Sequence, residues 1–209
     1  MARLFSIKPG LTLKGRKFKG LRGWAGKPFH PPLTDIPIAA YILGAIFDVL
    51  SWLLRDDTMA ADPQGGVVTL TSNASGLSHD LWRAGTFLFI AGLIVSVPTA
   101  ITGFWDWWKS MTAHTQAWRT ANWHMAMMLT TTALVVVDIL MRWKTDQVMY
   151  TDVPIMILSV VIAGLVSLGA TYGGSLVYDY GFNVETAGDH PVWHESERDV
   201  LPGEDKAID

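Results

Sequence analysis

An all-α membrane protein is the fold class that the sequence predicts, from three observations: long apolar segments, few charges, and aromatic residues at the segment ends. The chain has 209 residues, of which 50% are hydrophobic and 17% are charged, whereas a soluble domain carries about 25% charged residues. Apolar runs of about 18 residues or more are long enough to cross a bilayer as helices. The sequence therefore predicts a four-transmembrane-helix bundle with spans at about 33–55, 82–108, 118–143 and 152–178.

The first span follows a proline-rich segment, residues 27–37, that contains His30. Prolines stand before this span and in its first turn, where a missing N–H costs least. Asp48 is the single charged residue between Ile36 and Leu54. This segment thus supplies a membrane span and two ionisable groups at different depths.

The apolar runs of the other three spans are Ala84–Trp105, Trp123–Met141 and Val153–Val177. The first and last of these runs have no charge, and Trp123–Met141 contains His124 and Asp138. Glycines at four-residue spacing, such as Gly169 and Gly173, predict close packing between helices. Trp and Tyr cluster near the ends of the spans, as in the aromatic belts of membrane proteins. The residues of these belts are Trp52, Trp82, Trp105, Trp107, Trp108, Trp118, Trp123, Trp143, Tyr150, Tyr178 and Tyr180.

The two ends of the chain carry opposite charge, which divides it into a basic segment, 1–29, a transmembrane domain, 30–180, and an acidic tail, 181–209. The basic segment holds eight Lys and Arg and no acid, and the tail holds eight acids and two basic residues. Four spans place both termini on one side, and that side, with the 106–120 connection, holds twelve of the sixteen Lys and Arg. The positive-inside rule therefore places both termini in the cytoplasm.

Composition also limits the partners. The chain has no cysteine, which excludes disulfides, thiolate metal sites and cysteine-held iron–sulfur clusters within it. A basic segment beside a membrane span favours anionic lipid headgroups or a neighbouring subunit over nucleic acid. We therefore expect membrane lipid and other membrane protein subunits as partners, the latter bound through the charged tails. The polar outer connection, 56–80, is expected to hold short structure near Val67–Leu70.

Two pairs of similar helix ends suggest an internal repeat. Phe47–Leu50 resembles Val137–Leu140 at an offset of 90 residues, and Phe104–Trp107 resembles Val177–Tyr180 at an offset of 73. The longer outer connection of the first half accounts for the difference. This pattern favours two helical hairpins in parallel orientation, and chance similarity of helix ends is the alternative.

Five side chains are candidates for a site in the cytoplasmic half of the bundle. Ionisable residues inside a span are costly and usually face the bundle interior, so they are functional candidates. His124 lies about 10 Å inward of the midplane, and His30 and Asp106 lie at the inner interface. Tyr172 lies near the depth of His124, and Tyr178 lies closer to the interface. We expect these groups to converge on one cofactor-binding site.

Three chemistries fit this set. His30 and His124 could be the axial ligands of a b-type haem, could bind a quinone headgroup and move its proton, or could hold a divalent metal together with Asp106. The alternative is structural, with His124 bonded to a neighbouring helix and His30 capping one. A regular first helix would place His30 about 10 Å nearer the cytoplasm than His124, which argues against haem.

Four further residues are interpreted as structural intramembrane charges in the outer half. Asp138 has Arg142 four residues on, which is the spacing of a helical ion pair. Asp48 is expected to reach Arg83 at the outer end of the second helix. Unpaired carboxylates at this depth would cost a few kcal/mol, which favours pairing. A proton path toward the outer face is the other reading of these carboxylates.

The chain resembles a family of bacterial four-helix membrane proteins, domain-of-unknown-function family 2231. The resemblance rests on Lys27–Ile38 with its His-Pro-Pro motif, on Asp48, on Pro98–Trp107, on His124 and on Gly173–Tyr178. Together these motifs extend over roughly residues 27–182, and they leave both tails outside.

The resemblance implies a four-helix span and no established reaction. Some relatives are fused to, or lie beside, Rieske-type iron–sulfur domains, which implies electron transfer near quinone. Met127 and Met128 follow the histidine of the third helix where the family tends to show an asparagine, so this chain departs from the family there.

The sequence thus predicts an integral protein of the cytoplasmic (inner) membrane of a bacterium. Its predicted role is redox-associated, with haem b or quinone held near the inner leaflet by His30 and His124. The residues do not assign an enzymatic reaction. The alternatives are a non-catalytic accessory subunit of a larger membrane complex and a small proton-coupled carrier.

Overall fold

Four long helices make up most of the chain that the computed structural model describes, which comprises residues 28–60, 69–74, 76–144 and 150–182. Each helix is long and apolar enough to cross a membrane, and the predicted four-helix bundle is therefore confirmed. The helices are α1 (His30–Leu53), α2 (Gly76–Ser110), α3 (Gln116–Lys144) and α4 (Val153–Tyr178).

Helix α2 has 35 residues and departs most from its predicted span, 82–108, which it exceeds at both ends. Hydropathy marks the part of a helix that crosses the apolar layer, whereas the backbone hydrogen bonds continue into polar sequence on both sides. Prolines stand in the first turn of α1, as the sequence predicts, and also in the first turn of α4, where the missing N–H is likewise tolerated.

A small antiparallel sheet joins α1 to α2. It consists of β1 (Arg55–Ala60) and β2 (Thr69–Ala74), with Arg55 opposite Ala74 and Ala60 opposite Thr69. Short structure was expected in this connection near Val67–Leu70, and the second strand overlaps the end of that range. Val67 and Val68 themselves lie outside the described residues.

The helices alternate in direction around the bundle. Helix α1 packs against α2 and α4, and α3 packs against the same two helices, so α1 and α3 face each other across the bundle axis. We call the end where α1 and α3 begin the histidine end, and the end where α1 and α3 finish the carboxylate end. Helices α1 and α3, which contain His30 and His124, therefore both face the interior of the bundle.

Helices α1 and α2 pack closely because aromatic rings of each helix lie against glycines of the other. Tyr41 of α1 stacks on Phe89 of α2, with ring centroids 5.8 Å apart and an angle of 18° between the rings. A Cβ on Gly92 would lie 2.5 Å from the Tyr41 ring, and a Cβ on Gly44 would lie 2.7 Å from the Phe89 ring. Small residues therefore allow the close helix packing that their spacing predicts.

The outside of the bundle is strongly apolar. Large side chains such as Ile94, at 66% exposed, and Phe87, at 62%, project away from the core. A water-soluble protein rarely exposes so much contiguous apolar surface. Lipid is the contact that this surface fits. The charged tails, residues 1–27 and 183–209, lie outside the described residues, so the partner contacts predicted for them remain predictions.

Candidate functional site

The first turns of α1 are fixed against α2 by a hydrogen bond that a proline makes necessary. Pro37 has no N–H, so the carbonyl of Leu33 loses its partner within the helix. The hydroxyl of Thr99 lies 3.2 Å from that carbonyl oxygen and 2.7 Å from the carbonyl of Val95 in its own helix. Thr99 therefore joins the start of α1 to the middle of α2, directly beside His30.

His30 is the first residue of α1, and its ring lies against α2. Its Nδ1 is 3.0 Å from the carbonyl oxygen of Thr99 and 3.4 Å from the hydroxyl of Thr102. A Cβ on Gly103 would lie only 2.6 Å from Cε1 of the imidazole. The ring thus occupies the space that a side chain at position 103 would fill.

His124 of α3 makes the same kind of contact with α4. Its Nδ1 is 2.8 Å from the carbonyl oxygen of Gly169. A Cβ on Gly173 would lie 3.0 Å from Cε1 of this imidazole. In both cases the ring is held by a main-chain carbonyl and lies on a glycine one helical turn further along.

These contacts determine which nitrogen of each ring is available. A carbonyl oxygen can only accept a hydrogen bond, so Nδ1 of His30 and Nδ1 of His124 must each carry a proton. In a neutral imidazole the lone pair then lies on Nε2. Among the described residues the hydrogen bonds of both rings run through Nδ1, and none runs through Nε2. A ring held in this way through Nδ1 is how proteins present histidine to a metal.

The two imidazoles come close together. Their centroids are 6.3 Å apart, and the rings are nearly perpendicular, at 82°. The expected difference in depth of about 10 Å does not arise, because α3 begins eight residues before His124 while α1 begins at His30 itself. Those eight residues extend α3 about 12 Å beyond the start of α1.

The two halves of the bundle present their histidines equivalently. Thr99 and Gly103 of α2 correspond to Gly169 and Gly173 of α4, both pairs at an offset of 70 residues. In each half the first helix supplies a histidine and the second helix supplies the carbonyl and the glycine. This geometry supports an internal repeat, but it aligns α2 with α4 at an offset of 70 residues and not at the 73 residues of the similar helix ends.

Asp106 is the carboxylate of the predicted metal site. It is buried, at 5% exposed, but among the described residues there is no group of three or more His, Asp or Glu that could hold a metal ion. The predicted metal site of two histidines and one carboxylate thus has no support among these residues and stays a prediction. Seven residues separate Asp106 from Thr99 along α2, so its carboxyl lies about 10 Å further along the helix.

The two candidate tyrosines point away from the bundle interior. Tyr178 is 88% exposed and Tyr172 is 37% exposed, so the expectation that they converge with the histidines is wrong. Tyr178 lies on the exposed face of α4, whereas Gly169 contacts Met127 and Met128 of α3.

A second polar cluster lies at the carboxylate end, around Arg142. Its Nε donates to Oδ1 of Asp138 at 2.5 Å, which confirms the predicted pair. Its two Nη atoms donate to the two carboxylate oxygens of Asp48. The predicted partner of Asp48, Arg83, is instead exposed. Asp48 is thus joined to α3 rather than to α2.

Comparison with protein families shows the family to which the chain belongs. Residues 26–186 match the DUF2231 family, described as a predicted membrane protein. The chain belongs to the DUF2231 family. Comparison with curated proteins and with solved structures gave no match. Family membership thus supports an integral membrane protein and leaves the activity to be argued from the site.

Sequence reasoning missed the residues that hold the histidines in this DUF2231 bundle. Thr99 and Gly169 act through their main-chain carbonyls, which every residue type has, so the sequence does not identify them. Gly103 and Gly173 carried a signal, since a glycine facing a histidine across two helices indicates a ring seated on the backbone. In the sequence alone, the spacing of Gly173 indicates helix packing, and Gly103 stands out only as part of the Pro98–Trp107 motif.

Proposed function

We propose that this protein is a redox-associated membrane protein that holds a b-type haem between His30 and His124 as axial ligands. The observation that carries the proposal is the equivalent presentation of two imidazoles, one from each half of the bundle, with centroids 6.3 Å apart. Each has its Nδ1 bound to a main-chain carbonyl, and among the described residues no hydrogen bond of these rings runs through Nε2.

The separation of the rings fits two ligands on opposite sides of one metal ion. Imidazole nitrogens stand about 2.0–2.1 Å from a metal that they bind. With the nitrogens on opposite sides, the ring centroids are about 6 Å apart, whereas a tetrahedral angle brings them to about 5 Å. The observed distance of 6.3 Å lies nearer the first value, so His30 and His124 would hold a haem iron between them, and the iron would supply one-electron transfer.

A quinone bridged by the two rings fits this distance less well. Each hydrogen bond from a ring nitrogen to a quinone oxygen takes about 3 Å, so the two nitrogens would stand about 10 Å apart across the headgroup. The 6.3 Å between the centroids of His30 and His124 is too short for that. The donor set, two neutral imidazoles, is also one that haem iron accepts.

The protein would contribute orientation and a dry environment. The carbonyls of Thr99 and Gly169 hold the tautomers, and Gly103 and Gly173 leave room for the rings. A bound haem supplies reversible one-electron transfer at its iron. Hydrogen bonds to the ligand rings adjust their basicity, so the two carbonyls are the means by which this chain would tune the potential.

An absorption spectrum of the purified full-length protein, reduced minus oxidised, tests the proposal. We expect the α band of a six-coordinate b-type haem in the wild type. His30→Ala and His124→Ala should each remove it, since either change removes one axial ligand.

His114→Asn is the matched control for these two variants. His114 lies exposed in the turn between α2 and α3 with φ of 66°, a conformation that asparagine tolerates. This variant should keep the wild-type spectrum. A wild-type protein that shows no α band after expression with ample haem would contradict the proposal, and so would a band that survives in both alanine variants.

The proposed location is the cytoplasmic membrane of a bacterium, with both termini in the cytoplasm. It is supported by the charge distribution, in which the terminal segments and the 106–120 connection hold twelve of the sixteen Lys and Arg. The histidine end, and with it the haem, would then lie near the inner leaflet. The charged tails would contact lipid headgroups and neighbouring subunits. If deletion of residues 1–25 and 183–209 left every copurifying protein in place, the tails would not be the subunit contacts.

A further inference from the structure

The cluster around Arg142 contains more negative than positive charge. We call Asp48, Asp138, Arg142, Thr86 and Thr151 the carboxylate cluster. Asp48 and Asp138 are each 0% exposed and Arg142 is 4% exposed. One guanidinium therefore faces two carboxyl groups in the buried interior. If both carboxyls were ionised, the cluster would carry an uncompensated negative charge, which is strongly unfavourable inside a membrane domain.

The hydrogen bonds are divided unequally between the two carboxyls. Both oxygens of Asp48 accept from the Nη atoms of Arg142, and its Oδ1 accepts a third hydrogen bond from the hydroxyl of Thr151 at 3.1 Å. Among the residues that the structure describes, Asp138 accepts only from Nε of Arg142, at its Oδ1. Its buried Oδ2 has no hydrogen-bond partner in the same set of residues. Asp48 thus has the environment of an ionised carboxylate, and Asp138 does not.

We infer that Asp138 holds a proton on Oδ2 as a neutral carboxylic acid, so that the carboxylate cluster is a proton-binding site. A proton brings the charge of Asp48, Arg142 and Asp138 to zero. It also leaves Oδ1 of Asp138 as a carbonyl oxygen that accepts from Arg142. A buried polar atom without a partner costs far less when it is neutral than when it carries charge.

The groups around Asp138 come from every part of the bundle. Asp48 reaches it from α1, Thr86 from α2 by way of Arg142, and Thr151 from the residues before α4 by way of Asp48. The charged side chains that act on Asp138 are Arg142 and Asp48. A metal cation is a poorer way to balance the charge, because Mg²⁺ or Ca²⁺ needs about six oxygen ligands. No group of three or more acidic or histidine side chains that could hold a metal occurs in the described part of the chain.

The proton site is independent of the haem proposal. Asp138 follows His124 by 14 residues on α3, which places the two sites about 21 Å apart along the helix. The hydrogen bonds of Arg142 and Asp48 connect α1, α2, α3 and Thr151, which precedes α4. Loss of the proton would therefore leave a net negative charge at the contact between these elements. The contact between helices at the carboxylate end therefore depends on this proton.

Infrared spectroscopy of the purified protein, with aspartate labelled with ¹³C at its side-chain carboxyl, tests the inference. At neutral pH we expect the C=O stretching band of a protonated aspartic acid, identified by its isotope shift. Asp138→Asn should remove this band and keep the melting temperature within a few degrees of the wild type, because the amide has the shape and the neutrality of the acid. Asp106→Asn, which changes the buried aspartate of α2, should keep the band.

Four results would overturn the inference. The first is a wild-type spectrum with no labelled acid band at neutral pH, which needs no variant to fold. The second is a band that disappears in Asp106→Asn, since the proton would then be on α2. The third is no acid band together with a melting temperature that rises with added Na⁺ or Mg²⁺, since a metal cation would then balance the charge. A large fall in melting temperature for Asp138→Asn would likewise contradict a neutral Asp138.

Discussion

Arg142 pairs with carboxyls on two helices that lie far apart in the sequence. Its bond to Asp138 follows from the four-residue spacing and was predicted. Its bond to Asp48 spans 94 residues and was assigned wrongly to Arg83. The spacing of residues within one helix fixes their relative position, but a contact across the bundle depends on how each helix is rotated, and hydropathy alone does not determine that rotation.

Removal of the Arg142 guanidinium should be one of the most destabilising single changes at the carboxylate end. Arg142→Met leaves two buried carboxyls without their cation, and breaking such a pair costs about 3–5 kcal/mol. Arg83→Met, the same substitution at an exposed position of α2, should change the free energy of unfolding by about 0.5 kcal/mol or less. Unfolding in mixed micelles with increasing SDS measures both. Equal losses for the two variants would contradict the pairing described for Arg142.

Two neighbouring glycines of α4, Gly173 and Gly174, face different surroundings. A Cβ on Gly173 would lie 3.0 Å from the ring of His124, whereas a Cβ on Gly174 would meet only Tyr178, at 3.9 Å. Both glycines belong to small-residue patterns that indicate packing. The sequence predicted that this helix approaches its neighbours closely, but the choice of which glycine faces the histidine required the structure.

Gly173→Val should displace His124 and lower the haem content of the purified protein, whereas Gly174→Val should leave it unchanged. The physical reason is overlap: a branched side chain at 173 needs the volume that the imidazole fills, and overpacking of this kind costs about 1–3 kcal/mol. Haem per chain, from absorbance against protein concentration, is the measurement. If the Gly174 variant lost as much haem as the Gly173 variant, the seating of His124 on α4 would be wrong.

The bundle as a whole was predictable because membrane spans are specified by length and composition. The four helices, the hairpin order and the pairing of His30 with His124 followed from apolar runs and from where the ionisable residues fall. Asp106 and the two tyrosines were placed at plausible depths, but Tyr178 is 88% exposed. Depth is encoded by position along a helix, whereas convergence on a site is set by packing between helices.

Orientation in the membrane can be tested with two single cysteines, since the chain has none of its own. Ala113→Cys lies exposed in the turn between α2 and α3, at the histidine end. Gly76→Cys lies at the carboxylate end, where an added Cβ meets nothing within 4 Å. In intact spheroplasts a membrane-impermeant maleimide should label position 76 and spare position 113. The reverse labelling would place the histidine end, and the proposed haem, at the outer face.

The stoichiometry of haem in the purified protein tests most directly whether two histidines of one chain share one ligand. Because His30 and His124 of the same chain are 6.3 Å apart, each chain should hold one haem, whatever the number of chains in the detergent particle. The pyridine haemochrome assay, set against protein measured by amino-acid analysis, should give one haem per chain and none in His30→Ala or His124→Ala. One haem for two chains, or no haem at all, would contradict the account.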